Sequence, residues 1–492
     1  MVPIVKDANE FDVFDPVRWG LPPAVVASLS ERLRSFWSRF RHCFKTKTRD
    51  TSELGFVYLR GLLTMANKRN FANIARRVIN PDNDGQDLQQ FVSDSPWSAR
   101  PVFQQIQTEI ALRPELHGGM LTLDDSGDER AGDKSAGAAR QYLGREGKVD
   151  VGQVGVALGY YKDSIWAMVD AELYLPKAWF DQAHAGLRRR YHIPSKRTFQ
   201  TKVELALEMI RRAKANGLPF SVVGSDSFYG QVPEFLAALE AEKLVYVVAI
   251  PTETLVYLDK PVVGVPEPHP RLRGPSPKRE QVLSGKPVKA LALITLPDFV
   301  LQPVDIRQAE RGLLRYECAA RRVWTVSKDM KVQERWLLIR REHDGLFSTA
   351  FSNAPADTPL LVLAQWRCQQ YFAERTFQDA KSEAGWDELV ARKYRSWVHH
   401  TALDALALWF VAETKLDWAR QHPRDPELTA QLEVAVLPAL SMANVREMLQ
   451  AVMPLKQLSP QEATAIVVKH LVNRSHSTSS RLKAQQRSRG PT

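Results

Sequence analysis

The spacing of apolar residues changes period along the chain, and the changes predict its elements. In ERLRSFWSRFRHCF, Leu33, Phe36, Trp37, Phe40 and Phe44 recur at helical intervals. YLRGLLTMANKRNFANIARRV then mixes aromatic, aliphatic and basic residues, so residues 23–90 read as helices. PDNDGQDLQQFVSDSPWS, residues 81–98, is polar and rich in turn formers, and reads as a boundary. From GGMLTLDD onward, short apolar runs alternate with helical patterns. MLTL, VGQVGVALGYY and SIWAMVDAELYL read as strands, VELALEMIRRAKANG as a helix and FSVVGSD as a strand. The helix QVPEFLAALEAEK and the strand LVYVVAI follow. Strands alternating with helices in this way predict a mixed α/β sheet.

Residues 251–348 differ again. Pro261, Pro266, Pro268, Pro270, Pro275 and Pro277 crowd one loop, and the apolar runs VKALALITL, RRVWTVS and RWLLIRR follow. This composition predicts an inserted β-rich subdomain. After SNAPADTP come two helical patterns, LLVLAQWRCQQYFAERTFQDAKSEAG and SWVHHTALDALALWFVAETKLDWARQ, and the chain stays helical until its tail. The expected organisation is an N-terminal helical region (1–98), a core in two parts (116–250 and 349–415) around the insertion (251–348), and C-terminal helices with a basic tail (416–492). No internal repeat is visible.

Composition narrows the function. Hydrophobic residues make up 44% and charged residues 25% of the chain, as in globular proteins. No uncharged apolar run is long enough for a membrane span, and the N-terminus lacks the apolar core of a secretory signal. Cys43, Cys318 and Cys368 lie far apart, which argues against a zinc knuckle or disulfide framework and for a reducing, cytoplasmic location. The net charge of +11 and pI near 9.4 favour a polyanionic partner, because neutralised phosphates release counterions. The tail after Lys469 carries Arg474, Arg481, Lys483, Arg487 and Arg489 and no acid. A Ser-rich basic tail predicts disorder and extra phosphate contacts on DNA. The helices before residue 90 are a candidate DNA-binding region. A plain helical bundle with a solvated basic face fits the same residues.

Three acidic positions could carry chemistry. In LTLDDSG, Asp124 and Asp125 close an apolar strand; in FSVVGSDSFYG, Asp226 closes another. Acids at strand ends point into the crevice where open α/β sheets bind ligands. Glu374 lies on a predicted helix, with Arg367, Gln370, Gln378 and Lys381 spaced to share its face. Clustered carboxylates repel one another and bound divalent cations relieve that repulsion. Two such ions suit phosphodiester cleavage, where one oxygen attacks and another leaves. Taken singly, each acid reads equally well as a turn, N-cap or solvated-face residue.

The ordered combination of these blocks resembles the DDE transposases of bacterial insertion sequences. The resemblance rests on LTLDDSGDERAGDKSAGAARQYLGREGKVDVGQVGVALGYY, with Arg140, Tyr142, Lys148 and Gln153, and on KVELALEMIRRAKANGLPFSVVGSDSFYG, with Tyr229 and Gly230 after Asp226. FSNAPADTP, YFAERTFQDAKSEAG and RSWVHHTAL complete it, over about residues 30–415. It implies an RNase H-like mixed sheet with helices on both faces, a β-rich insertion before the catalytic Glu, and flanking helical regions. It further implies Asp124, Asp226 and Glu374 as catalytic metal ligands, with Asp125 as the alternative to Asp124. The implied cofactor is two Mg²⁺ ions, with Mn²⁺ as substitute. The implied partners are double-stranded DNA at transposon ends and at the target, bound by a homodimer.

DNA contacts are expected from Arg140, Lys148, Tyr229, Trp324, Arg367 and Lys381. Trp324 sits among basic residues and suits stacking on an unpaired base, although a buried core tryptophan fits as well. The family's Glu helix has Tyr and Arg where this chain has Arg367 and Gln370, so Arg367 is the candidate replacement for the missing arginine. His399 and His400 are candidates to approach the metals or to fill the core. Two rival functions remain at this point: a catalytically inactive, transposase-derived DNA-binding protein, and a related metal-dependent nuclease.

Overall fold

The computed structural model describes residues 12–130, 132–144, 147–267, 278–310 and 312–488. Pro268, Pro270, Pro275, Pro277 and Arg489 lie outside the described residues.

Helices Leu29–Phe40 (α1), Ser52–Thr64 (α2), Gln86–Ser93 (α3) and Arg100–Ala111 (α4) open the fold. Leu33, Phe36, Trp37, Phe40 and Phe44 are all buried, as their spacing predicts. The polar segment 81–98 does not behave as a boundary. It forms α3, and Leu88, Phe91, Val92 and Trp97 enter the main core. Leu88, Phe91 and Val92 follow i, i+3, i+4 spacing, so the polar residues between them turn outward while one face packs.

Strands Gly119–Glu129 (β1), Ala139–Leu143 (β2), Lys148–Lys162 (β3), Ile165–Leu173 (β4), Phe220–Ser225 (β5) and Tyr246–Ile250 (β6) come next. β4, β3, β1, β5 and β6 lie side by side in that order. β1 runs antiparallel to β3, and β3 to β4, whereas β1–β5 and β5–β6 are parallel. Parallel pairs need crossover connections. Lys202–Ala215 (α5) leads from β4 to β5, and Pro233–Ala241 (α6) from β5 to β6. Thr201 and Glu204 start α5 with a reciprocal capping box. This strand order and these directions make an RNase H-like sheet.

The insertion extends that sheet. Gln302–Ala309 (β7), Gly312–Val326 (β8), Val332–Arg341 (β9) and Phe347–Ser352 (β10) continue it in the order β6-β10-β9-β8-β7, giving ten strands. The run VKALALITL, counted towards the β-rich subdomain, gives only the two-residue strand Val288–Lys289 before a short 3₁₀ helix over Ala290–Thr295. Ala290 and Leu293, three residues apart, are its buried members, a spacing that suits a three-residue turn.

The pattern expected as one helix around Glu374 is broken at Gln370 into Leu360–Gln369 (α7) and Tyr371–Asp379 (α8), followed by a π-helical turn over Ala380–Ala384. The two pieces have different seats. Leu363 and Ala364 of α7 pack with Met120, Val222 and Ile306, whereas Phe372 of α8 stacks on Tyr161 of β3. Tyr394–Gln421 (α9) is buried almost throughout, between the N-terminal helices and β4. The basic tail departs from the expected disorder: Pro460–Ser488 (α10) is helical. RLKAQQR supplies good helix formers there. No helix among the described residues is long and apolar enough to cross a membrane.

Candidate active site

The β1–β5 ladder ends at Leu123 opposite Ser225, while β1 continues along β3 with Asp124 opposite Ala157. From Asp124 onward the β5 side of β1 is therefore open, and Asp226 is the first residue beyond β5. Asp124, Asp125 and Asp226 each offer a carboxylate oxygen, and these oxygens lie within 4.8 Å of one another.

Strand alternation separates the two adjacent aspartates. Met120, on the even side of β1, packs against α7, while Leu121 and Leu123 share the core with Leu205, Met209 and Ile210 of α5. Asp124 thus belongs to the face of the Glu374 helix, and Asp125 to the face of α5. Glu374 stands exposed on α8 and is not one of the three acids whose oxygens meet, although its charge adds to the upward shift of Asp124. Asp125 forms an ion pair with Lys202, the first residue of α5.

Burial pushes the Asp124 carboxyl well above the usual carboxylate range. The neighbouring Asp226, Asp125 and Glu374 charges add to that shift, and an N–H donated by Asp125 at 2.7 Å opposes it. Burial, with the Asp125 charge adding to it, raises Asp226 to about 6, against N–H groups donated by Tyr229 (3.4 Å) and Phe228 (3.1 Å) and against the Lys202 charge. Two carboxyls whose ionised forms are disfavoured, with oxygens this close, are a site short of positive charge. An all-oxygen, anionic donor set of this kind fits a hard divalent cation.

The remaining expected site residues are spread more widely. Tyr229 is fully buried, packed on Phe228 and Phe235, so it is not a surface DNA contact. Its backbone N–H holds Asp226, and its hydroxyl is buried with no hydrogen-bond partner among the described residues. Lys381 lies in the π-helical turn and pairs with Asp128 of β1 at 2.9 Å. Arg367 has a buried Nε with no hydrogen-bond partner among the described residues, and burial beside Arg340 lowers its pKa while Glu342, Cys368 and Glu374 act the other way. Gln370 lies over β5, its Oε1 3.2 Å from where a Cβ on Gly224 would stand. Arg140 and Lys148 are exposed on β2 and β3, Lys148 pairing with Asp150 at 2.8 Å. Trp324 is half-buried rather than a core residue, with Lys260 Nζ 5.4 Å from its ring.

Both histidines are core residues. His399 stacks on Trp97, its ring nitrogens 2.9 Å and 2.8 Å from the carbonyls of Val92 and Trp97. His400 faces Tyr58 and the Gly385 carbonyl.

The family model described as DDE superfamily endonuclease matches residues 39–313, more than half of the chain. The chain belongs to the DDE superfamily endonucleases. It is also 30% identical over 200 residues to a probable transposase for insertion sequence element IS701 from Microchaete diplosiphon. That alignment covers 40% of this chain and 48% of the relative, so the chain spans about half the length of the curated relative it matches. The span matched by the DDE superfamily model contains Asp124, Asp125, Lys202 and Asp226 and ends before Glu374. Divalent metal is typical of DDE superfamily members, in keeping with the carboxylate cluster.

Sequence reasoning missed Lys202. A lysine at the first position of a capped helix opposes the positive end of the helix dipole, and that local conflict was the available signal.

Proposed function

We propose that this protein is the transposase of a bacterial insertion sequence, cleaving DNA at the element's ends and joining the freed 3′ ends to a target. The observation that supports the reading is the meeting of Asp124, Asp125 and Asp226 where the parallel strands β1 and β5 part, and Glu374 on α8 is proposed to complete the set. Asp124, Asp226 and Glu374 are the proposed metal ligands, and two Mg²⁺ ions, replaceable by Mn²⁺, are the proposed occupants. Bound there, the cations supply activation of the attacking oxygen and stabilisation of the leaving oxygen in an in-line displacement.

The chain's own residues do the rest. The backbone N–H groups of Phe228 and Tyr229 fix the Asp226 carboxylate. The stacking of Phe372 on Tyr161 fixes the helix that carries Glu374. Arg140, Lys148, Trp324 and Arg367 are proposed to meet the DNA, phosphate contacts setting register and the tryptophan stacking on a base. Lys381 joins them only by leaving Asp128. Double-stranded DNA at the ends and at the target is the proposed partner, held by a homodimer on paired ends.

The test is incubation of purified protein and Mg²⁺ or Mn²⁺ with labelled duplexes carrying the inverted repeats that flank the gene. Nicks at the repeat boundary followed by joined products support a transposase. Nicks without joining favour the simple nuclease, and binding without nicks favours the inactive DNA-binding protein.

A further inference from the structure

The acid cluster contains a cation of its own. Lys202 is the first residue of α5, and the Thr201–Glu204 capping box fixes where that helix begins. Its ammonium pairs with Asp125 and lies 5.7 Å from the ring of Tyr174 and 5.2 Å from that of Phe228. Both side chains of the pair are mostly buried, 17% and 21% exposed. Both members of the pair act on Asp226, the Asp125 charge raising its carboxyl and the Lys202 charge lowering it. A charged side chain held against the dipole of its own helix, in contact with one of two adjacent aspartates, breaks a local rule at a functional site.

We propose that Lys202 is a positioning residue that decides which aspartate serves the metal. By neutralising Asp125 on the α5 face of β1, it keeps that carboxylate out of the ligand set and leaves Asp124 to share the ion with Asp226. It also weakens the empty site's hold on a divalent cation, because a fixed positive charge stands beside it. This inference rests on the proposed metal site. A plain structural salt bridge between α5 and β1 makes different predictions, since the pair would then affect folding and leave metal affinity alone.

The experiment is Mn²⁺ binding to the full chain without DNA, followed by the loss of the free-ion electron paramagnetic resonance signal, with folding checked by circular dichroism. Lys202→Met and Lys202→Gln should bind Mn²⁺ at least about fivefold more tightly than wild type, since a positive charge has left the partly buried cluster. Lys202→Arg, which keeps the charge, should match wild type. Asp125→Asn strands the lysine charge and should weaken binding, and the double variant Lys202→Met/Asp125→Asn should restore it to within about threefold of wild type, because the pair is removed as a unit. Unchanged or weaker binding by both Lys202→Met and Lys202→Gln would overturn the inference. So would a double variant that binds as poorly as Asp124→Asn, which would make Asp125 a ligand. Asp124→Asn and Asp226→Asn serve as controls: if both bind Mn²⁺ like wild type, the metal site itself is wrong, a failure distinct from that of Lys202.

Discussion

Phe372→Ala tests how Glu374 is held. The Phe372 ring stacks on Tyr161 with centroids 3.8 Å and planes 12° apart, lies 5.9 Å from Trp166, and carries the Arg307 guanidinium 5.1 Å from its centroid. Truncating a buried phenylalanine to alanine costs about 3–5 kcal/mol, of which the aromatic pair accounts for roughly 0.5–1.5 kcal/mol. Phe372 is 7% exposed, so water reaches part of the vacated space and the lower end of that range, about 3 kcal/mol, applies. The loss falls on α8, a nine-residue helix joined to α7 at the break after Gln369. The helix should therefore shift before the sheet unfolds. A misplacement of about 1 Å in a reacting group costs on the order of 100-fold in rate. The expected result is a melting temperature lower by several degrees, with DNA cleavage slowed about 100-fold. Phe372→Leu should recover most of both. Differential scanning fluorimetry and cleavage of a labelled end duplex supply the two readouts. A Phe372→Ala protein that melts earlier but cuts at the wild-type rate would refute the claim that this stack seats Glu374.

Further outcomes follow from other parts of the fold. Burial lowers His400 from 6.5 to about 4, with its Nδ1 accepting from Tyr58 at 3.0 Å and its Nε2 donating to the Gly385 carbonyl at 3.1 Å; Asp404 Oδ2 lies 3.2 Å from Nε2, but burial pushes that carboxyl well above the usual range, so it offers the ring little charge. Between those pH values the unfolded chain binds a proton that the native state lacks, so stability should fall as pH drops from 6.5 towards 4. Urea unfolding across that window should be less pH-dependent in His400→Phe by up to about 1.4 kcal/mol per pH unit, and identical slopes would count against the buried neutral ring. Removing residues 471–492, where Arg474 and Lys483 stand exposed on α10, should reduce nonspecific DNA affinity and flatten its salt dependence by about 0.9 log–log units per lost phosphate contact, while sparing cleavage. Unchanged salt dependence on truncation would show that the tail does not meet phosphate.

The sequence was informative where local pattern and tertiary role coincide. Apolar runs ending in Asp124 and Asp226 become adjacent strands, but only Asp226 begins a turn; β1 runs on past Asp124 to Glu129 along β3, so the expected strand end at Asp124–Asp125 is instead the point where β5 leaves β1. Leu33 to Phe44 could be read directly as a buried stripe. The break at Gln370 was not legible, because both sides of it have helical propensity and only the two packing seats on β-strands separate them. The pairing of Lys202 with Asp125, 77 residues away in sequence, is invisible to any periodicity. For His399 and His400 the sequence left metal neighbour and core residue open, because a polar ring on a helix looks the same whether its partners are metal-bound groups or backbone carbonyls; they are core residues. Residues 81–98 show the opposite failure, where polar composition concealed the Leu88, Phe91 and Val92 face that packs.

Glu374→Gln tests the three-carboxylate site most directly. Glutamine keeps the size and helix preference of glutamate and leaves Phe372 and Phe377 in place, but it removes the negative charge that acts on Asp124. Cleavage of a labelled end duplex in Mg²⁺ or Mn²⁺, measured alongside gel-shift affinity for the same duplex, separates chemistry from binding. Cleavage should fall by several orders of magnitude while end binding stays near wild type. A Glu374→Gln protein that cuts at the wild-type rate would contradict the assignment of Asp124, Asp226 and Glu374 as one catalytic site.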